Sequence, residues 1–400
     1  MDQLSTQPGP LAGLRVIEMG QLIAGPFCGQ LLGDMGADVI KIESPGAGDP
    51  MRTWGKSDPS AWWQIIGRNK RSVTIDLRKA DGQDLARQLI AKADILIENF
   101  RPGTLEKWGL SPETLLAKNP RLIVTRMSAY GQTGPYSDRA GYGLIGEAMG
   151  GWRNIVGDAD RPPARMGVSI GDALCATYGC LGALAALRNR EITGKGQVVD
   201  SSLFESVLQV MESLVIDYSI SGYVRERSGA ILPGIAPSNA YRCRDGDYLI
   251  GANQDTVFIR LCTAMGQPDL AQNAKYSNHV ARGRNQAELD SLIEDWTSHR
   301  TIEEVDALML KNAIPGGRVY KAPDMLADPH FQARNSILSL QHPALGAIKM
   351  QGVFPVLSET PGGVRRLAPA TPGQDNAEVF KEVLGLNTDQ VANLAKAGLI

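Results

Sequence analysis

Short runs of β-branched residues alternate with helical patterns through the first two hundred residues, and this alternation limits the fold more than any other feature of the chain. Leu14-Arg15-Val16-Ile17-Glu18 reads as a strand, Gly25 to Gly36 as a helix, and Asp38-Val39-Ile40-Lys41-Ile42-Glu43 as the next strand. The pattern then repeats. Asp84 to Ala93 carries Leu85, Leu89 and Ile90 on one helical face, Ile95-Leu96-Ile97 follows as a strand, and Ser111-Pro112-Glu113 opens a helix with Ser as cap and Pro in the first turn. Leu122-Ile123-Val124 and Gln197-Val198-Val199-Asp200 read as further strands. Such alternation builds βαβ units around a mainly parallel sheet, so the expected fold class is α/β.

Between these strands, Asp172 to Arg188 is rich in Ala and Gly among Leu174, Leu181, Leu184 and Leu187, which predicts a buried helix closely approached by its neighbours. A long helix is expected over Leu203 to Tyr218. From Gly222 to Pro237 the composition turns to Gly, Pro, Ser and Arg, which reads as a linker or active-site loop. Beyond it, Tyr241-Arg242-Cys243 and Tyr248-Leu249-Ile250 flank Asp245-Gly246 as a hairpin. Helices follow near 255–265, 285–298 and 301–312, the last opened by the capping-box pattern Thr301-Ile302-Glu303-Glu304. This stretch reads as a separate α+β domain. Leu338 to Ile400 is expected to be extended and then to form two short helices.

A chain of 400 residues with 41 Lys+Arg against 43 Asp+Glu carries a formal charge of −2, so it has no basic excess for a nucleic-acid partner. The beginning of the chain lacks the basic start and apolar stretch of a signal peptide, and no unbroken apolar run of about 18 residues appears. The expected location is the cytoplasm, with no membrane partner. The five cysteines (Cys28, Cys175, Cys180, Cys243, Cys262) form no CxxC pair, which argues against a disulfide framework or a structural zinc site and for buried thiols. The four histidines begin at His279, so chemistry in the N-terminal half proceeds without an imidazole.

The turn after the first strand, Gly20-Gln21-Leu22-Ile23-Ala24-Gly25-Pro26, lacks the Lys-Ser/Thr of a P-loop, and no GxGxxG occurs there. A ligand at the strand ends remains the general expectation for an open α/β sheet. Lys41, Arg52, Lys70, Arg71, Arg78, Arg101 and Lys107, together with Trp54, Trp62, Trp63, Phe100 and Trp108, are a set suited to a phosphorylated, ring-bearing ligand if they converge; singly, each reads as solvated surface. Asp172, after Gly171, reads on bare sequence as a helix N-cap, and alternatively as a carboxylate nucleophile.

Several of these segments occur together and in order: Leu11-Ala12-Gly13-Leu14-Arg15-Val16-Ile17-Glu18, Ala24-Gly25-Pro26, Leu32 to Glu43, Asn69-Lys70-Arg71-Ser72, Glu98-Asn99-Phe100-Arg101-Pro102-Gly103, Gly131-Gln132-Thr133-Gly134-Pro135, Gly171-Asp172 and Thr193-Gly194-Lys195-Gly196-Gln197. As an ordered set the chain resembles the class III CoA-transferases, the group of formyl-CoA transferase, carnitine CoA-transferase and succinate-hydroxymethylglutarate CoA-transferase, which also includes the alpha-methylacyl-CoA racemases. The resemblance implies a Rossmann-like large domain formed by both chain ends (1–224 and 326–400), an inserted small α+β domain (225–325), and an interlocked homodimer.

It also implies that Asp172 is the catalytic aspartate, which moves CoA between carboxylic acids through aspartyl anhydride and aspartyl-CoA thioester intermediates. No permanently bound cofactor and no metal is implied, and coenzyme A enters as the acyl-CoA substrate. Ile23 and Ala24 would lie by the thioester, Ile75 and Arg78 near adenine and phosphates, with Asn99, Phe100, Lys107 and Trp108 completing the CoA contacts. Ser44 and Ala140 stand where some members carry basic residues. A racemase would need a histidine where Tyr142 stands, and the tetraglycine loop of the formyl-CoA branch is replaced by Ser228-Gly229-Ala230-Ile231-Leu232-Pro233-Gly234-Ile235. The expected reaction therefore has succinyl-CoA or a similar thioester as donor and a small dicarboxylic acid as acceptor, with acyl-CoA racemisation and non-catalytic acyl-CoA binding as alternatives. Tyr142 and Glu147 are expected to be packing residues.

Overall fold

The computed structural model describes residues 4–400. Two compact units emerge, one from residues up to Trp152 with 166–216 and 329–400, the other from 153–165 and 217–328. The longer stretch of the second unit runs from Asp217 to Asp328. It also takes in 153–165, a polar, Pro-containing stretch with no periodicity to mark its allegiance in the sequence.

In chain order the first unit runs β1 (Arg15–Glu18), α1 (Ala24–Asp34), β2 (Asp38–Glu43), α2 (Ala61–Ile66), β3 (Lys70–Thr74), α3 (Ala80–Ile90), β4 (Ile95–Glu98), α4 (Thr104–Lys107), α5 (Pro112–Lys118), β5 (Ile123–Ser128) and α6 (Gly143–Met149). The single turn α7 (Trp152–Ile155) passes into the second unit after Trp152; the first unit resumes with α8 (Ile170–Thr193), β6 (Val198–Ser202) and α9 (Leu203–Leu208), and α10 (Leu214–Ser221) is divided between the units after Ile216. The six strands form one sheet in the order β3-β2-β1-β4-β5-β6, every neighbouring pair parallel. Alternate residues face opposite sides: Ile17, Ile40, Leu96 and Val124 join Leu85, Leu89 and Phe380 in one core, and Val16, Val39, Ile95, Ile97 and Ile123 join Leu32, Cys175 and Ala183 in the other. The order reverses between β1 and β4, where the outgoing loops diverge to opposite faces and leave a crevice.

The expected helix over Leu203 to Tyr218 is broken into α9 and α10 by residues 209–213. Helix α8 also corrects an expectation. Its small residues Ala176, Gly179 and Ala183 are buried as foreseen, but Leu181 is 59% exposed and Ile192 68%. Glycines permit the close approach on the buried side: a β-carbon at Gly179 would stand 2.7 Å from Met127 Cε, and one at Gly182 would stand 2.5 Å from Val199 Cγ1. Although α8 has the length and composition of a membrane-crossing helix, it packs on β5 and β6 as a helix of the first unit's core.

The second unit holds β7 (Ser238–Cys243), β8 (Gly246–Gly251), α11 (Asp255–Ala264), α12 (His279–Arg284), α13 (Gln286–Ser298), α14 (Ile302–Lys311), β9 (Gly316–Arg318) and α15 (Ala322–Ala327). The expected hairpin forms with Tyr241 opposite Tyr248, and β9 extends it to three antiparallel strands. The Thr301–Glu304 capping box is present. Tyr241, Tyr248, Phe258, Leu261, Ile293 and Trp296 fill its core.

The chain then returns to the first unit with α16 (Pro329–Ala333), the hairpin β10 (Ile337–His342) and β11 (Gly346–Gln351), α17 (Asn376–Leu384) and α18 (Thr388–Lys396). This return covers the free edge of β3: the Ser72 amide donates to Asp375 Oδ2 at 2.7 Å and the Thr74 amide to Asn376 Oδ1 at 2.9 Å. Edge donors that would otherwise recruit another chain are thereby satisfied.

Candidate active site

The crevice between β1 and β4 holds a cleft of about 260 Å³, lined by Gln21 to Ala24 after β1, Asn99 to Arg101 after β4, the end of β5, Tyr142 and Asp172. The β1 loop turns tightly: a β-carbon on Gly20 would lie 2.9 Å from the Gly25 α-carbon, and Leu22 has φ of 63°. Such a loop needs external anchors, and polar side chains supply them. Asn99 clasps Gln21 at both ends, its Oδ1 accepting from the Gln21 amide and its Nδ2 donating to the Gln21 carbonyl, each at 2.8 Å.

Beneath the loop lies a buried charge cluster. Lys41 Nζ donates to the Gly20 carbonyl at 2.7 Å and pairs with Glu18 and Asp49, each at 2.8 Å. Lys70 Nζ reaches Glu18 and the Pro26 carbonyl, both at 2.6 Å. Burial opposes charge on both amines. For Lys41, Asp49 and Glu18 outweigh burial and hold the ammonium above its ordinary value; for Lys70, burial prevails and the value falls. These two lysines, Arg52 on Glu43 (2.7 Å) and Arg71 on Asp38 (2.5 Å) are spent on internal pairs. The grouping of basic residues as a phosphate-binding set is corrected accordingly for these four.

On the other side of the crevice, Arg126 Nε donates to Glu98 at 2.7 Å and Nη1 to Glu106 at 2.9 Å, tying the end of β4 to α4. Glu98 in turn accepts the Phe100 amide at 2.8 Å. Burial pushes the Glu98 carboxyl up to about 7 against the pull of Arg126. Phe100 meets Trp108 edge-on, ring centroids 5.1 Å apart. This bracket was invisible in the sequence, because Glu98, Glu106 and Arg126 are far apart in the chain and carry no shared spacing.

Ile23, Ala24, Asn99, Phe100 and Asp172 therefore come together in one cleft. Trp108 stands behind Phe100, and Lys107 is exposed beside it on α4. Ile75 is 1% exposed in the core, so its side chain is closed to a ligand, and Arg78 is exposed and paired with Asp76 at 2.8 Å. Asp172 is not the N-cap of α8. Ser169 holds that position, and Asp172 falls in the first turn, where the helix's free N–H groups favour negative charge. Tyr142 is 69% exposed and lines the cleft, which corrects its assignment to packing, whereas Glu147 is buried at 1%.

Residues 11–376 match the family model described as CoA-transferase family III. The chain belongs to CoA-transferase family III. Its relatives in the family include the succinyl-CoA–D-citramalate CoA-transferase of Chloroflexus aurantiacus, 54% identical over 391 residues and 97% of each chain. The beta subunit of succinyl-CoA–L-malate CoA-transferase from the same organism is 40% identical over 98% of each. A crystal structure of a CaiB/BaiF family protein from Brucella suis superposes with a TM-score of 0.83 at 35% identity, covering 94% of this chain and all of that one. The protein is a CoA-transferase, and CoA thioesters are its substrates.

Proposed function

We propose that this CoA-transferase carries CoA from succinyl-CoA to a hydroxylated dicarboxylic acid of malate or citramalate size, with Asp172 as the covalent carrier. The supporting observation is the opening of Asp172 onto the cleft shared by Ile23, Ala24, Asn99 and Phe100; the acceptors named for the 54% and 40% identical relatives support the substrate class. An Asp172 oxygen attacks the thioester carbonyl carbon, a C–O bond forms, the C–S bond breaks, and CoA leaves as thiolate. The thiolate then attacks the Asp172 carbonyl carbon, forming a new C–S bond as succinate departs. The acceptor carboxylate displaces CoA from this aspartyl thioester, and the thiolate returns to the acceptor's carbonyl, freeing Asp172. Each step exchanges one acyl bond for another, so the activation of the first thioester is kept. Holding the reactants in one cleft makes each attack effectively intramolecular, an advantage of up to about 7–11 kcal/mol.

Lys107 and Arg78, both exposed, suit the CoA phosphates, with Trp108 and Phe100 as an aromatic wall and Ile75 contributing through its backbone. CoA thioesters are made and consumed inside cells, which fits a cytoplasmic enzyme. We further read the protein as an interlocked homodimer: Leu181 and Ile192 on α8 and Val215 and Ile216 on α10 are exposed apolar side chains that a second copy would cover. Light scattering would then give twice the chain mass, and a monomer would overturn that reading.

The activity test incubates the protein with succinyl-CoA and a panel of acids and detects new CoA thioesters by mass spectrometry, with Asp172→Ala beside it. A new thioester made only by the wild type is the expected result. Equal product from Asp172→Ala removes Asp172 from the mechanism, and no product with any dicarboxylate removes the substrate reading.

A further inference from the structure

Helices α6 and α8 meet beside the cleft through bare backbone. A β-carbon at Gly171 would stand 3.0 Å from the Gly143 carbonyl oxygen, and one at Gly143 would fall on Oδ2 of Asp172, 2.9 Å from its Cγ and 3.4 Å from Oδ1. Both glycines are buried. Gly143 opens α6 with its φ outside the left-handed region, so backbone freedom does not call for glycine there. Alanine is the better helix former at such a position. What glycine supplies is space, and Asp172 takes it. The broad χ2 torsion of Asp172 can swing Oδ2 aside but leaves Cγ 2.9 Å from that β-carbon, so full relief takes a change of the staggered χ1, which carries the whole carboxylate with it.

We propose that Gly143 is a positioning residue for the transfer reaction: its missing side chain forms the notch in which the Asp172 carboxylate rests, and so sets the direction from which the carboxylate meets the thioester carbonyl. This rests on Asp172 being the nucleophile. Any β-carbon at 143 turns that carboxylate away from the cleft while leaving the CoA-contacting loops after β1 and β4 untouched.

The test compares the wild type, Gly143→Ala, Asp172→Ala and the double variant, by steady-state kinetics and thermal melting. Gly143→Ala is expected to lower kcat about 100-fold, the scale of a misplacement near 1 Å, with KM for succinyl-CoA within about twofold because uniform binding is unchanged. In melting, Gly143→Ala lowers Tm when Asp172 is present and leaves it unchanged or higher when residue 172 is Ala, since the clash is with that side chain alone. An equal Tm change in both backgrounds places the clash elsewhere and overturns the proposal, as does full kcat in Gly143→Ala beside an inactive Asp172→Ala. Transfer retained by Asp172→Ala overturns the nucleophile and this proposal with it. Should Gly143→Ala fail to fold, a folded double variant supports the notch, and an unfolded one overturns it.

Discussion

Glu18 has no exposed surface, yet both buried lysines under the β1 loop depend on it. Its two oxygens hold Lys41 and Lys70, and through them the Gly20 and Pro26 carbonyls. Removing one partner of a buried ion pair leaves an uncompensated charge in a poorly polarisable interior. Glu18→Gln is therefore expected to lower the unfolding free energy by about 3–5 kcal/mol in urea melts, where a loss below about 1 kcal/mol would be ordinary for an exposed pair. A quieter residue tests the capping chemistry that the sequence displayed. Ser111 Oγ accepts the Thr114 amide at 3.2 Å ahead of Pro112, so Ser111→Ala should cost about 0.5–2 kcal/mol with transfer activity intact. Ser111 was readable because a cap is written within four consecutive residues, whereas the Glu18 cluster joins residues from β1, β2, β3 and the loop after β2.

At the scale of elements, ionised carboxylates hold the loops at the strand ends: Asp49 accepts the Leu22 amide after β1, and Glu43 accepts the Asp49 amide after β2. Burial works to raise both Glu43 and Asp49, but the Arg52 hydrogen bonds and Lys41 hold Glu43 below its ordinary value, and the Lys41 charge does the same for Asp49. In the unfolded chain these groups return to about 4.5 and 3.8. Protons thus bind the unfolded chain more readily, and the stabilisation, complete above those values, is lost as pH falls below them toward the lower values of the folded state. Thermal melts between pH 7 and pH 3 should show Tm dropping below about pH 4.5; a Tm unchanged down to pH 3 would contradict these ion pairs. The strands and helices of the first unit were legible because each combines a local period with its own start and stop residues. The break of the expected 203–218 helix into α9 and α10 was not, since no Pro or Gly marks residues 209–213. Nor was the exposure of Leu181 and Ile192 on α8, because hydrophobic composition alone does not say whether a face meets its own core or remains outside it.

For the whole molecule, the decisive feature is that residues 329–400 belong to the unit begun by the first 152. Val379, Phe380 and Val383 of α17 complete the core that Leu85, Leu89 and Leu96 start, and Asp375 and Asn376 close the edge of β3. Deleting residues 371–400 should leave that core open and the edge amides unpaired, giving a protein that aggregates or exposes dye-binding apolar surface; a soluble truncation with wild-type Tm would sink this account. The chain by itself determined the parallel α/β class, the α+β insert and the individual candidates Asp172, Ile23, Ala24, Asn99 and Phe100, because strand periodicity, turn residues and the ordered family segments are all local properties. Only the tertiary structure decided that these five share one cleft while Ile75 is sealed in the core, that the basic residues Lys41 and Lys70 serve the fold, and that Gly143 faces Asp172. Those outcomes depend on which distant residues become neighbours when the strand order reverses between β1 and β4, and no spacing along a chain encodes a distance across a sheet.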